Sequence, residues 1–276
     1  MRHLFEFEAC MRMVTRVMFP LVALTLAIPS VGSGQQFEGV LTMREVRFEI
    51  DAVLARVGGS AEELLPQPLE RLRETAEDAG AGLEELSLTY YLKGNKLRTS
   101  NDGSSGEDAG YMLLDFGTGL YQLVDPAQKL IVEWVADSVA DGAIAEEEAA
   151  TDLEIDIQPL DETRTINGFT CAGFRVVHEG GIVEITWLTD ALQDLTGSFA
   201  QLADLSARFA EEGSTTRPLD RFLELGFPIL TMTVDTDLGE FSAAEVLKAE
   251  RRPLEDDLFT VPSGYLKVAM PRGGQR

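Results

Sequence analysis

The chain has 276 residues, of which 45% are hydrophobic and 25% are charged, a composition typical of folded globular proteins and not of disordered ones. Its formal net charge of −24 at pH 7 disfavours binding to nucleic acid and to anionic membrane surfaces. This length is sufficient for one large domain with a substantial buried core.

The first predicted element is a secretory signal peptide over residues 1–33. Basic residues precede an uncharged apolar run, residues 17–29, and small residues follow it. The run is shorter than the ~20 residues that a membrane-spanning helix needs. An uncleaved anchor is the alternative, and translation could start later, at Met11 or Met13. We therefore expect an exported protein, periplasmic or extracellular, with no transmembrane segment once the leader is removed.

Residues 34–268 are predicted to form one α+β domain, with a polar tail at 269–276. Residues 37–50 mix apolar and polar positions and predict a first strand. A helical insertion is expected at residues 60–82, where apolar residues recur at helical spacing and Ser60 begins a capping-box sequence. Two prolines are expected to break this insertion into two pieces.

Short strands dominate the middle of the chain. Residues 86–92 alternate regularly, and a tight turn at 93–95 leads into the next strand. Three more apolar runs between Tyr111 and Val135 are separated by turn residues at hairpin spacing. Residues 137–152 are rich in Ala and Glu and are expected to be partly helical. The pattern predicts consecutive antiparallel strands.

The second half of the chain predicts one hairpin, one long helix and two further strands. The hairpin pairs residues 169–179 with 182–189. The helix, residues 190–212, carries apolar residues three and four apart and is expected to be capped by Asp190. Two more strands are expected at 229–235 and 240–252.

Cys171 and His178 are the only cysteine and histidine that follow the leader. They are seven residues apart on one predicted strand, so their side chains point to opposite faces, roughly 23 Å apart. A nucleophilic cysteine needs its base within hydrogen-bonding reach. This pair is therefore not a catalytic dyad, and Cys171 is expected to be a buried structural thiol without a disulfide.

We predict no catalytic, cofactor or metal site. One Cys and one His cannot form a Cys/His zinc site, and the EF-hand spacing is absent. The sequence also has no glycine-rich phosphate-binding motif and no G-x-S-x-G motif, which marks the nucleophilic serine of many hydrolases. The acidic positions Asp152, Glu154 and Asp156, or Asp235 and Asp237, leave carboxylate-only calcium binding open, with a solvated strand face as the alternative.

The predicted helix 190–212 offers a different kind of site. Its apolar stripe could close a solid core, or it could cover a pocket for a lipid or another apolar ligand. The candidate ligand-lining residues are Leu192, Leu195, Phe199, Leu202 and Phe209.

Several motifs resemble an uncharacterised family of exported bacterial proteins, the domain-of-unknown-function family 4412. They are YYLKGNKLR, INGFTCAGFRV, ITWLTD and LFTVPSGY. This family is similar in turn to the periplasmic carriers and receptors of the lipoprotein-sorting (Lol) system. The matched positions, which we interpret as structural, are Gly94, Lys96, Arg98, Gly168, Cys171, Trp187, Pro262, Gly264 and Tyr265.

The resemblance implies a curved antiparallel sheet that forms an incomplete β-barrel, with helices over its concave face. In the Lol-type carriers that hollow receives acyl chains, and no catalytic residues come with the resemblance. We therefore expect an exported, non-enzymatic binding protein for a lipid or other apolar ligand, without a cofactor. The alternatives are an envelope interaction module with a protein partner and no small ligand, or an unrecognised hydrolase that uses His178 or a pair of carboxylates.

Overall fold

A computed structural model describes residues 37–101, 109–135, 155–178, 181–207 and 225–269. The predicted signal peptide, the Ala- and Glu-rich segment, Phe209 and the tail beyond Ala269 lie outside these ranges. The strands, numbered in chain order, are β1 Glu38–Glu49, β2 Glu84–Lys93, β3 Lys96–Asn101, β4 Tyr111–Asp115, β5 Leu120–Asp125, β6 Leu130–Val135, β7 Ile155–Ile166, β8 Phe169–His178, β9 Ile182–Thr189, β10 Phe227–Asp235, β11 Glu240–Arg251 and β12 Leu266–Ala269.

These strands form one sheet in the order β12-β6-β5-β4-β3-β2-β1-β11-β10-β9-β8-β7. Every neighbouring pair is antiparallel except β12 and β6, where Leu266 lies beside Leu130 in a parallel register. The predicted antiparallel sheet is confirmed, with this one parallel pair at its edge. The chain reaches it by crossing from β11 to the far side of the sheet, and a crossover, unlike a tight hairpin, permits a parallel pairing.

The sheet is open and curled. Its edge strands, β12 and β7, are not paired with each other, so the described strands make an incomplete barrel. The turn between β7 and β8 nevertheless reaches β11, because the Asn167 side chain donates hydrogen bonds of 2.9 Å to Glu245 and to the Val246 carbonyl. In a flat sheet β8 and β11 would be ~14 Å apart. This contact therefore requires the β7–β11 half to curl strongly.

The helices are α1 Ile50–Val57, α2 Leu69–Ala79 and α3 Thr196–Ala207, and the 3₁₀ turns are Ala61–Leu64, Asp190–Leu195 and Asp256–Phe259. The helical insertion thus begins at Ile50, ten residues earlier than expected. It is divided into pieces as the two prolines predicted. Ala269, expected to begin the polar tail, is the last residue of β12.

Both predicted helix caps are wrong. The Ser60 side chain makes no capping hydrogen bond, and the Glu63 amide instead donates to the Ser60 backbone carbonyl at 3.1 Å. At the second helix the cap is Thr189 and not Asp190. Thr189 lies at the buried end of β9, where its hydroxyl accepts from the Ala191 amide and donates to the Thr170 carbonyl.

One face of the sheet, here called the insertion face, carries Arg44 and Phe48 of β1. Directly paired residues share a face, and the Phe48 ring stacks on its partner Phe241 at 4.5 Å. Arg44 donates to Glu70 of α2 and to Glu245 of β11, both at 2.5 Å. These contacts place the helical insertion on this face.

The opposite face, here called the lid face, carries the odd-numbered residues of β1. Tyr90 of β2 pairs with Leu41 and shares this face. Its ring contacts Phe199 of α3 at a centroid distance of 5.8 Å. The contacts of Arg44 and of Tyr90 therefore place the helical insertion and α3 over different parts of the sheet. We call the segment Asp190–Ala207 the lid.

Candidate apolar binding site

A single row of paired residues crosses seven strands on the lid face. Successive pairings in β11, β1, β2, β3, β4, β5 and β6 connect Arg251, Gly39, Leu92, Leu97, Leu114, Tyr121 and Trp134. We call this row the ladder. Its six strand spacings amount to ~29 Å along the sheet. All members between Gly39 and Trp134 are apolar or aromatic, so the row forms a continuous apolar track that begins at one cation.

The ladder is well packed along its middle. Leu92, Leu97, Leu114 and Tyr121 are buried. Trp134, at the end of the row, is half-buried and stacks on Tyr121 with a centroid distance of 5.3 Å and an interplanar angle of 7°. Paired aromatic rings of this kind give a large, rigid apolar surface.

The lid closes over this face through its apolar side chains. Phe199 meets Tyr90 and also packs edge-on against Phe227 at 5.0 Å. The other predicted ligand-lining residues within the described ranges are buried in the same hydrophobic cluster as the ladder; they are Leu192, Leu195 and Leu202. All four side chains are therefore buried in the core, and Phe199 contacts the sheet directly at Tyr90.

The apolar surface continues past the lid to the sheet edge. Leu130 and Val132 share the lid face with Trp134, and their parallel partners in β12 are Leu266 and Val268. These two partners are 66% and 42% exposed. Exposed apolar side chains that continue a buried apolar track form an accessible end to it.

Arg251 holds the start of the lid against the other end of the ladder. Both of its Nη atoms donate to the Asp194 carboxylate, Nη2 at 2.9 Å, and Nη2 also donates to the Ala191 carbonyl at 3.2 Å. The guanidinium lies over the Phe37 ring, 5.0 Å from its centroid. The hydrogen bond to Asp194 raises the pKa of Arg251. Between the two anchored residues, Leu192 leaves helical geometry at φ −120° and ψ 25°.

Glu45 is a buried carboxylate on the lid face, four residues along β1 from Leu41. Within the described residues its Oε1 has no hydrogen-bond partner. Burial raises the pKa of Glu45 to about 7, against an ordinary value of 4.5. Burial, together with the nearby Glu45 charge, also raises the pKa of the Tyr90 hydroxyl.

The raised pKa of Glu45 predicts that stability falls as the pH rises. Below about pH 4.5 Glu45 is protonated in both the folded and the unfolded chain, and its contribution is complete. As the pH rises to about 7 the unfolded chain loses the proton first, so this contribution is lost, on the order of 3 kcal/mol. Urea unfolding at pH 5 and pH 8 should show that Glu45→Gln loses less stability across this interval than the wild type.

The exposed Glu49, on the same strand, provides the matched control for this pH experiment. Glu49→Gln should keep the wild-type difference in unfolding free energy between the two pH values. Equal pH dependence in Glu45→Gln and the wild type would contradict the assignment of this titration to Glu45.

The structure keeps Cys171 and His178 apart. Cys171 lies on the insertion face, where burial raises its pKa to about 11 and its thiol donates to the Phe169 carbonyl at 3.4 Å. His178 lies on the lid face, with Nε2 3.9 Å from an oxygen of the buried Glu184. A thiol so protonated is a poor nucleophile. Among the residues that the structure describes, no three His, Cys, Asp or Glu side chains are arranged to hold a metal ion.

Two of the candidate calcium-binding carboxylates accept hydrogen bonds from neighbouring residues. Asp235 Oδ1 accepts from the amides of Asp237 and Leu238 and so shapes the β10–β11 turn. Asp156 accepts from the Gln158 side chain at 2.6 Å. Asp152 and Glu154 lie outside the described residues.

The motif glycines occupy turns. Gly94 and Gly168 have φ values of 56° and 86°, which non-glycine residues rarely adopt. Pro262 and Gly264 flank the turn before Tyr265, which packs against an apolar cluster on the insertion face made of Tyr111, Leu113, Val124 and Ile131.

Lys96 and Arg98 lie on β3, beside the Gly94 turn. Arg98 stacks over Tyr111 at 3.9 Å and donates to the Leu258 carbonyl at 3.2 Å, tying the C-terminal segment to the sheet.

Trp187 is the central side chain of the insertion face, with 1% of its surface exposed. A Cβ atom at its partner Gly173 would come within 2.7 Å of the indole ring, so only glycine fits there. The Arg164 guanidinium covers the ring at 4.3 Å.

The ladder and Arg251 were not identified from the sequence. Arg251 pairs with Gly39, more than 200 residues away, and no local pattern reports such a register. The one available signal was Gly39 itself, where a Cβ would meet the Glu250 carbonyl oxygen at 2.0 Å.

Together these features define a class of protein: an open, mostly antiparallel sheet with one apolar face under a helical lid. No helix in the described ranges has the length and apolar composition that crossing a membrane requires. The model of the family DUF4412, a domain of unknown function, matches residues 74–265, more than half of the chain. The chain belongs to this family, as its motifs indicated. No curated protein matches it.

Several solved structures are similar to the chain. An uncharacterized conserved protein from Thermus thermophilus has a TM-score of 0.39 and 9% identity, over 83% of this chain and 90% of that one. A candidate outer membrane lipoprotein-sorting protein domain from Vibrio parahaemolyticus has a TM-score of 0.27 and 13% identity, over 82% and 90%. The Pseudomonas aeruginosa MucA/MucB complex has a TM-score of 0.31 and 10% identity, over 79% and 55%.

Proposed function

We propose that this protein is an exported, non-enzymatic binding protein that holds a long apolar chain, such as a lipid acyl chain, between the lid and the ladder. The observation that carries the proposal is the continuous apolar track of the lid face. It runs from beneath the lid to the exposed side chains of Leu266 and Val268. A core that served folding alone would have no need to continue as exposed apolar surface.

The dimensions and energetics suit such a ligand. The ladder spans ~29 Å, whereas an acyl chain in one leaflet occupies about half of the ~30 Å hydrocarbon core of a bilayer. Each methylene buried on the track contributes about 0.8 kcal/mol. A long chain can therefore offset the loss of the lid contacts made by Phe199 and Leu195.

The lid is suited to movement. Its beginning is a 3₁₀ turn interrupted at Leu192 rather than a regular helix, and a half-exposed arginine, Arg251, anchors it. Half-exposed ion pairs are weak and are replaced at low cost. We propose that the lid swings at Leu192, so that a ligand chain takes the place of the Phe199 ring over Tyr90.

The two tryptophans of the chain allow a direct test. Trp134 is at the open end of the ladder, whereas Trp187 is buried on the insertion face. An uncharged long-chain alcohol with bromine at its far end quenches indole fluorescence on contact. In a Trp187→Phe variant the remaining Trp134 should be quenched saturably. In the matched Trp134→Phe variant, Trp187 should keep its fluorescence.

Quenching of both tryptophans, or of neither, would contradict this proposal. If neither tryptophan were quenched, the result would favour the second candidate, an envelope interaction module that binds a protein partner through the same exposed edge. The observation in favour of that candidate is the pair Leu266 and Val268 on the short edge strand β12, whose outer side has no neighbouring strand in the described sheet. The module would then bind a partner strand rather than a chain beneath the lid.

A further inference from the structure

The ladder has one charged member, and it stands at the end opposite Trp134. Arg251 is paired with Gly39, which is paired in turn with Leu92, so the guanidinium is two strand spacings from the first large apolar side chain of the track. Gly39 has no side chain, and the place that its Cβ would take is filled by the Glu250 carbonyl oxygen and the edge of the Phe37 ring. The apolar Phe37 ring, on which the guanidinium lies, therefore stands between the cation and the track. A positive charge at one end of a long apolar row is the arrangement that complements an amphiphile with an anionic head.

The contacts of Arg251 already show how an oxyanion would be held. Both Nη atoms bind the two carboxylate oxygens of Asp194 in the fork geometry that arginine forms with carboxylates and phosphates. The Phe37 ring supports the guanidinium from one side. The Arg251 side chain is 52% exposed, so the position of the Asp194 carboxylate is open to exchange with a carboxylate from solution.

The other charged groups nearby do not supply a competing cation within the ladder. Glu250 is the neighbour of Arg251 in β11, points to the other face and is bonded to Lys248 at 2.5 Å. Arg47 is also on the lid face, but it lies beyond Met43 along β1, away from the ladder residue Gly39. Its Nη1 is 3.9 Å from Glu240 Oε1. With a net charge of −24 the chain as a whole repels anions. An anionic ligand therefore depends on this local site.

We propose that the ligand is an amphiphile with a long apolar chain and an anionic head, carboxylate or phosphate, and that Arg251 binds the head in place of Asp194. This inference rests on the proposed function. It also couples binding to lid movement, because the Asp194 carboxylate that the ligand displaces is one of the two groups that hold the lid to Arg251. The apolar chain then extends along Leu92 and Leu97 toward Trp134.

The test compares three bromine-tagged probes of equal chain length, a fatty acid, an alcohol and an alkylammonium, by quenching of Trp134 in the Trp187→Phe background. The chain is chosen so that its extended length matches the ~29 Å of the ladder. The fatty acid is expected to bind at least tenfold more tightly than the alcohol, and the alkylammonium more weakly than both. Bromine at the chain end should quench Trp134 more than bromine beside the carboxylate. Free acetate and inorganic phosphate should not displace the fatty acid at equal concentration, which separates an amphiphile site from a simple anion site.

Variants of the two paired residues test the assignment. Arg251→Gln should reduce the affinity ratio of acid to alcohol to about one, Arg251→Lys should keep a reduced preference for the acid, and Asp194→Asn should raise the acid affinity. Urea unfolding of each variant shows whether it is folded. An acid-to-alcohol ratio near one in the wild type, or a wild-type ratio in folded Arg251→Gln, would overturn the inference and leave the proposed function intact. Absence of quenching by all three probes would instead overturn the proposed function.

Discussion

Replacing Phe199 by alanine is expected to lower the free energy of unfolding by about 3–4 kcal/mol and, at the same time, to tighten binding of the bromine-tagged alcohol. The ring is buried between Tyr90 of the sheet and Phe227 of β10, so its removal leaves a cavity that rigid strands cannot fill. That same cavity lies beside Tyr90, two residues along β2 from the ladder residue Leu92. The variant therefore needs less free energy than the wild type to displace the lid when the ligand binds.

Urea unfolding and Trp134 quenching, measured on the same preparation, give the two quantities. Phe199→Leu is the matched control, since it keeps most of the buried volume and should lose less stability and gain less affinity. A Phe199→Ala variant that loses stability while its affinity for the alcohol falls or stays unchanged would show that the lid is ordinary core.

Replacing Trp187 by alanine is expected to lower the free energy of unfolding by about 3–5 kcal/mol without changing the affinity of the alcohol. Trp187 is the largest fully buried side chain of the insertion face, packed against Gly173 and covered by Arg164. Strand pairing connects Trp187 through Leu230 and Glu245 with Arg44, so its side chain points to the face opposite the ladder. Its loss should therefore weaken the fold and leave the lid face as it was.

The comparison of Trp187→Ala with Phe199→Ala separates stability from binding, because both remove a buried aromatic ring and only one ring lies on the lid face. Trp187→Phe serves as the conservative control, with a smaller loss of stability. If Trp187→Ala changed the affinity for the alcohol as much as Phe199→Ala, the two faces would not be independent, and the placement of the site on the lid face would be contradicted.

The hairpins could be predicted from the sequence because their determinants are local. Turn residues such as Gly94 and the pair Asn167–Gly168 stand between runs that alternate with a period of two. The burial of Trp187 also followed from alternation with its neighbours in β9. Helix α1 was not predicted, because its determinants are not local. Its eight residues are too few to form a stable helix alone, and Ile50 and Val53 hold it by burial.

The candidate site could be predicted only in part. The apolar stripe of the second helix predicted that Leu192, Leu195, Phe199 and Leu202 share one apolar surface, and all four are buried in one cluster. The break at Leu192 and the cap by Thr189 could not be predicted, because they depend on the buried end of β9. The ladder depends on the pairing of β1 with both β2 and β11, which are far apart in the chain. A shift of one residue in either register would send Arg251 or Leu92 to the other face. Such long-range registers are set by packing of the whole sheet.

Native mass spectrometry of the protein, expressed from the full sequence and purified without detergent, tests most directly whether it holds an apolar ligand. We expect a fraction of the protein to carry an added mass of lipid size that is lost on denaturation. We also expect the released species to be an anionic amphiphile and the stripped protein to take up an offered fatty acid. A protein that carries no added mass, and takes up neither the fatty acid nor the uncharged alcohol when they are offered, would contradict the proposed function.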